Sequence, residues 1–253
     1  MLSARFTALA ALAALGVSCS SGPPPAIDPT VAAHVPSSAL ILGGVNLQRL
    51  RAAPLYRQLP PAAALFLQPL KDADSLLVAS NGSEYLAFTR GGFRQAPAGE
   101  TLLAPGVAAA GSSAWLAAAV SPRSTPRPAV LDRGEPLAAS SEIWMVVAGS
   151  ATLPLTGNAE NVNRLLHSTQ YTTLSVHLTD NLAIEMVGVC ATQEAAHQLE
   201  GTVRAMLSLG AAAEARTGLA GLLKRIRITR EDRAVHLNLS ADAGELGQIL
   251  RLL

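Results

Sequence analysis

The chain has 253 residues, 49% of them apolar and 15% charged, which excludes intrinsic disorder, since disordered segments combine low hydrophobicity with high net charge. With 19 Lys and Arg against 18 Asp and Glu, no positive excess is available to neutralise a phosphate backbone, so nucleic acid is not an expected partner. Aromatic residues at 4% leave few rings for a base- or sugar-stacking surface, and the length allows one large domain or two of roughly 100 residues each.

Arg5 supplies a short positive region, and the apolar run from Phe6 to Val17 follows it. A helix needs roughly 20 apolar residues to cross a bilayer core, so this run reads as the apolar part of an export signal over residues 1–18. Leu15, Gly16, Val17, Ser18 and Cys19 then resemble the lipobox of bacterial lipoproteins, in which small residues precede a lipidated cysteine. Gly16 stands where that class usually carries Leu. The resemblance implies lipid attachment at Cys19; the alternative is an ordinary secretory signal cut near the same place. Residues 19–34, with Ser20, Ser21, Gly22, Pro23, Pro24, Pro25 and Pro29, read as a flexible tether. By the same resemblance, Ser20 lacks the Asp that retains lipoproteins at an inner membrane, which favours the outer one. If Cys19 is acylated, Cys190 has no partner within the chain and no disulfide is expected.

A first half is expected over 35–121. Ala39 to Leu47 reads as a buried strand and Gln48 to Leu59 as an amphipathic helix stopped by Pro60 and Pro61. Asp74 to Ala79 and Glu84 to Arg90 form a hairpin around Ser80, Asn81, Gly82 and Ser83. From Gly91 to Val120 the periodicity is weak. Residues 122–137, with Pro122, Pro126, Pro128 and Pro136 among five charges, read as a linker or long loop.

In the second half, 138–253, Ile143 to Ala148 reads as a strand, followed by a helix capped by Asn158 and carrying Val162, Leu165 and Leu166. Thr172 to Leu178 and Leu182 to Cys190 alternate as two strands. Thr192 caps a helix with Ala196, Leu199, Val203, Met206 and Leu207 on one stripe, stopped at Gly210. A short helix over Leu219 to Leu223 precedes a hairpin of Ile226, Ile228 and Val235, Leu237, Leu239. Asp242 and Glu245 cap a last helix burying Leu246, Ile249, Leu250 and Leu253. The fold class is α+β, a two-layer sandwich with an antiparallel sheet and helices on one face, and both halves repeat a β-α-β-β order.

Val35-Pro36, the strand ALILGGVNL, the segment LRAAPLY, Gly92-Phe93 and the closing IRITREDRAVHLNLSA resemble an uncharacterised family of bacterial envelope proteins. That resemblance implies architecture and envelope location, with no catalytic residues to carry over.

Motifs for chemistry are thin. Ala110 to Ala114 (AGSSA) and Ala148 to Thr152 (AGSAT) both miss the Gly-x-Ser-x-Gly turn of a nucleophilic serine, and Ser150 reads as part of a tight turn. No HxxxH, CxxC or HExxH occurs, so no metal or cofactor is expected. His177 and His236 share the polar phase of two strands, where a solvated sheet face is the plain reading; His167 suits a helix C-terminus and His197 lies off an apolar stripe. Gly43-Gly44 and Gly91-Gly92 lack phosphate-loop spacing, Cys190 reads as a small buried apolar residue, and the arginines from Arg204 to Arg233 as a solvated face. The expected function is a non-catalytic lipoprotein on the periplasmic side of the envelope, held to the membrane by the lipid at Cys19 and binding or scaffolding another envelope protein. A periplasmic hydrolase with a dispersed site, or a small-molecule or lipid carrier, is the alternative, the carrier requiring an internal cavity.

Overall fold

The computed structural model describes residues 26–58, 68–120, 126–155, 160–213 and 219–242. The signal at 1–18, Cys19, Pro60, Pro61, Pro122, Asn158 and the last helix beyond Asp242 lie outside the described residues. In chain order the helices are α1 (Pro29–Ala32), α2 (Leu47–Ala52), α3 (Ser113–Val120), α4 (Ala129–Ser140), α5 (Asn161–His167), α6 (Gln193–Ala213) and α7 (Leu219–Arg225). The strands are β1 (Ile41–Asn46), β2 (Ala73–Ser80), β3 (Tyr85–Gly91), β4 (Thr101–Ala104) and β5 (Val107–Gly111) in the first half. The second half has β6 (Ile143–Ala148), β7 (Tyr171–Leu178), β8 (Leu182–Val189), β9 (Arg227–Glu231) and β10 (Ala234–Ala241).

All ten strands join one antiparallel sheet in the order β4-β5-β3-β2-β1-β6-β7-β8-β10-β9. The fold is α+β, as the alternation of apolar and polar positions requires. Read outward from the β1–β6 seam, each half runs first, second, third, fifth, fourth strand. The β-α-β-β order therefore recurs in space as well as in sequence, with α2 and α5 following equivalent strands. The two halves share the sheet through the pairing of Ile41 with Val147 and Val45 with Ile143.

Helices pack against both faces of the sheet. Leu42, Trp144 and Val146 point to one face and pack with Val31 of α1, Trp115 of α3 and Val130 and Leu131 of α4. Ile143 points to the other and packs with Leu47 and Leu50 of α2, Val147 packs there with Leu166 of α5, and Val235 with Leu199 and Val203 of α6. Leu42 and Leu131 are fully buried, and burial of each contributes about 1.5–3 kcal/mol.

Two readings are corrected. The tether over 19–34 ends earlier than its composition implies: Ile27, Val31, Ala32 and Val35 are buried in the first core. Pro29 starts a helix, where its missing N–H costs nothing, and Asp28 caps it by accepting from the Thr30 N–H at 2.8 Å. The linker over 122–137 contains most of α4, whose Val130 and Leu131 are core residues despite Pro136 inside the helix. Two helix bounds also shift. The helix read over 48–59 stops at Ala52, because the residue before Pro54 is forced to extended backbone. The helix with the stop at Gly210 runs on to Ala213, carried by alanines, the strongest helix formers.

Docking of α1 depends on charge. The Ala26 and Ile27 N–H groups donate to Glu135 Oε2 at 3.0 and 3.1 Å, and Arg90 donates to the Asp28 carboxylate. Partial burial works to raise the Asp28 pKa, but the Thr30 N–H and the Arg90 guanidinium outweigh it and hold it below its usual 3.8. A group with a depressed folded pKa stabilises the fold above its unfolded value, and that contribution is lost as the pH falls through the folded value. Wild-type protein is therefore expected to lose more thermal stability than Asp28→Asn when the pH is taken from neutral to below about 4. Parallel losses in melts of the two proteins would contradict this.

Candidate functional site

Between α5, α6 and the second half-sheet lies a cavity of about 260 Å³. Its floor is one row across four strands: Met145 faces Leu174, Leu174 faces Met186 and Met186 faces Leu237. Its walls are helix stripes, with Val162, Leu165 and Leu166 at i, i+3, i+4 on α5, and Leu199, Val203 and Met206 at i, i+4, i+7 on α6. The two stripes stand apart over the sheet, and the space between them is the cavity. Gly188 gives the floor depth at one end: a Cβ there would stand 3.2 Å from Thr169 Cγ2 and 3.3 Å from Leu199 Cδ2.

The lining carries no ionisable side chain. Its inner hydroxyls are already engaged, since Thr169 Oγ1 donates to the Leu166 carbonyl at 2.7 Å and lies 3.2 Å from Thr172 Oγ1. A polar ligand group placed inside would lose its hydration without a partner, at a cost of about 1–3 kcal/mol. The mouth is apolar too: Val162, Met186 and Met206 are 37–38% exposed, and Leu209, one turn beyond Met206, is 71% exposed. The volume is below the roughly 300–1,000 Å³ of drug-sized sites. What fits is a slim apolar group inserted from the open side with its polar end left in water.

The residues singled out for chemistry lie elsewhere. Ser150 is exposed in the turn after β6, and its neighbour Gly149 is pressed so close to the Thr169 carbonyl that a Cβ would stand 1.8 Å away. Cys190 is fully buried in the core under α6, and burial pushes its thiol pKa up. His177 and His236 lie on strands separated by β8, His177 opposite Ala183 and His236 opposite Val187. They are not brought together; His236 Nδ1 instead lies 3.4 Å from Glu185 Oε1. His167 Nε2 is 3.0 Å from the Ala151 carbonyl oxygen. Gly44 and Gly91 are close contacts, against the Trp144 indole and the Asp72 carbonyl. Arg204 and Arg230 both pair with Glu200, at 2.8 and 3.1 Å. An open depression between α7 and β8–β10, lined by His177, Glu185, Lys224 and Asn238 among others, mixes charges of both signs at the surface. Among the described residues, no three His, Cys, Asp or Glu side chains could hold a metal together, and no helix is long and apolar enough to cross a membrane.

The lining residues were legible as apolar stripes, but periodicity reads them as core and carries no measure of the gap between two stripes. A signal in composition was available: beyond Met1 the sequence has three methionines, Met145, Met186 and Met206, and all three line this cavity.

No protein-family model matches the chain, and no curated protein matches it. Among solved structures, the fold is similar to that of TP0453: crystal form III gives a TM-score of 0.50 at 11% identity, covering 88% of this chain and 98% of that one. Crystal form I gives 0.47 at 11% identity, covering 88% and 97%. At this identity the likeness concerns the fold alone.

Proposed function

We propose that the protein is a non-catalytic envelope lipoprotein that holds the apolar chain of a small amphiphile in the cavity between α5, α6 and the sheet. One observation carries this reading: the cavity is lined almost wholly by aliphatic side chains and methionines, with no titratable group to act on what enters. A site for catalysis needs converging polar groups, and the polar side chains of this lining are three threonines, with Thr169 bonded to the Leu166 carbonyl and Thr172 beside it. Of the functions the sequence left open, the carrier is the one that requires an internal cavity.

The anchor belongs to the same proposal. Lipid at Cys19 would hold the body close to a membrane, since Ile27 is already part of the core and a chain spans at most about 3.3–3.6 Å per residue. A ligand with an apolar tail is concentrated at that surface. The periplasmic side of an outer membrane is the location this reading favours. Binding is tested by titrating purified protein with dodecanoate against a fluorescent fatty-acid probe. Saturable displacement at one site per chain is expected, and probe that binds without saturation, or that dodecanoate fails to displace, would contradict it.

A further inference from the structure

Met186 and Met206 both line the cavity and are each 37% exposed at its mouth, whereas Met145 is half-buried in the floor. A thioether is apolar and adaptable, which suits a site that must close around chains of different shape. It is also the side chain that an oxygen-atom donor converts into a polar sulfoxide. We propose that Met186 and Met206 form a modification site at which oxidation by a peroxide-class oxidant releases the apolar ligand. The inference rests on the cavity being a ligand site.

The sulfur lone pair attacks one peroxide oxygen, the O–O bond breaks, the sulfur is oxidised by two electrons to the sulfoxide, and hydrogen peroxide leaves as water. A sulfoxide oxygen at Met186 or Met206 then lies against a lining without ionisable side chains, in which Thr169 is committed to the Leu166 carbonyl and Thr172 lies beside Thr169. Ligand binding would bury that oxygen without a donor, so affinity falls by about tenfold or more. Cys190 does not compete, being fully buried with a thiol whose pKa is raised. Enzymatic reduction of the sulfoxides returns the thioethers, so the effect is reversible.

The test treats the purified full chain with hydrogen peroxide, locates added oxygen by peptide mass spectrometry, and measures dodecanoate binding before oxidation, after it, and after treatment with methionine sulfoxide reductases. Met186 and Met206 are expected to oxidise ahead of Met145, with affinity falling about tenfold and recovering on reduction. The Met186→Leu/Met206→Leu variant lacks both exposed sulfurs, and whatever its own starting affinity for dodecanoate, peroxide is expected to leave that affinity unchanged. Unchanged affinity after both sulfurs are oxidised, or an equal loss in the double variant, would overturn the proposal while leaving the cavity as a ligand site. Absence of dodecanoate binding before any oxidation would overturn the ligand reading, and this one with it.

Discussion

Leu174→Trp is expected to abolish dodecanoate binding while leaving the protein folded. Leu174 is in the middle of the cavity floor, between Met145 on β6 and Met186 on β8. The half-buried Leu174 faces space and not a packed layer, so an indole grows into the opening. Aromatic side chains bury about 150–250 Å², enough to occupy much of a cavity this size, and the open side lets the indole N–H reach water. Overpacking, which usually costs about 1–3 kcal/mol in a filled core, is offset here by filling a void, since cavities are themselves destabilising. The melting temperature should therefore hold within a few degrees while affinity falls at least about tenfold. Wild-type affinity in the variant would place the ligand elsewhere, and an unfolded variant would mean the floor is already closely packed.

Gly134→Ala is expected to destabilise the protein, against the usual rule for helices. Glycine inside a helix ordinarily costs about 1 kcal/mol relative to alanine, so replacing Gly134 in α4 should help if only the helix mattered. Its Cβ, however, would stand 2.7 Å from Trp144 Cζ3 and 2.9 Å from Cη2. The indole cannot retreat, because a Cβ on Gly44 would already stand 2.4 Å from its Cε2, so it sits in a slot between β1 and α4 that two glycines create. With contacts this short on a ring that cannot move, overpacking lies towards the upper end of its usual range of about 1–3 kcal/mol and exceeds the gain of about 1 kcal/mol in helix propensity, for a net loss of up to about 2 kcal/mol by urea denaturation. Adding Trp144→Phe to Gly134→Ala should make the two changes non-additive, because the smaller ring makes room for the methyl. Equal or higher stability of Gly134→Ala alone would mean that the slot has slack.

The slot also shows where sequence reading stops. Gly43-Gly44 is identifiable as a close contact from glycines inside a strand, but its partner lies about a hundred residues away, and nothing local in β1 marks β6 as its neighbour. Eight of the ten strands were readable because each half-sheet has a covered face that imposes alternation, as in Leu174, Val176 and Leu178; β4 and β5 lie in the Gly- and Ala-rich stretch from Gly91 to Val120, where the periodicity is weak. Composition misled twice. Prolines drew the tether past Ile27, although Ile27, Val31 and Val35 repeat every four residues as a helix-like stripe and are buried together. Prolines likewise hid α4, whose Val130 and Leu131 lie between Pro128 and Pro136. The cavity was the least legible part, since its residues differ from core residues only in what stands opposite them.

The measurement that bears most directly on a membrane-held apolar-ligand protein is the intact mass of the chain isolated from its native membrane, taken first under non-denaturing and then under denaturing conditions. The expected mass fits residues 19–253 plus acyl chains on Cys19, with a further small apolar molecule that departs on unfolding. Cys19→Ala should lose the acyl chains and keep the ligand. A chain with an unmodified Cys19 would contradict the anchor, and a native mass equal to the denatured one, in protein that also fails to take up dodecanoate, would contradict the ligand.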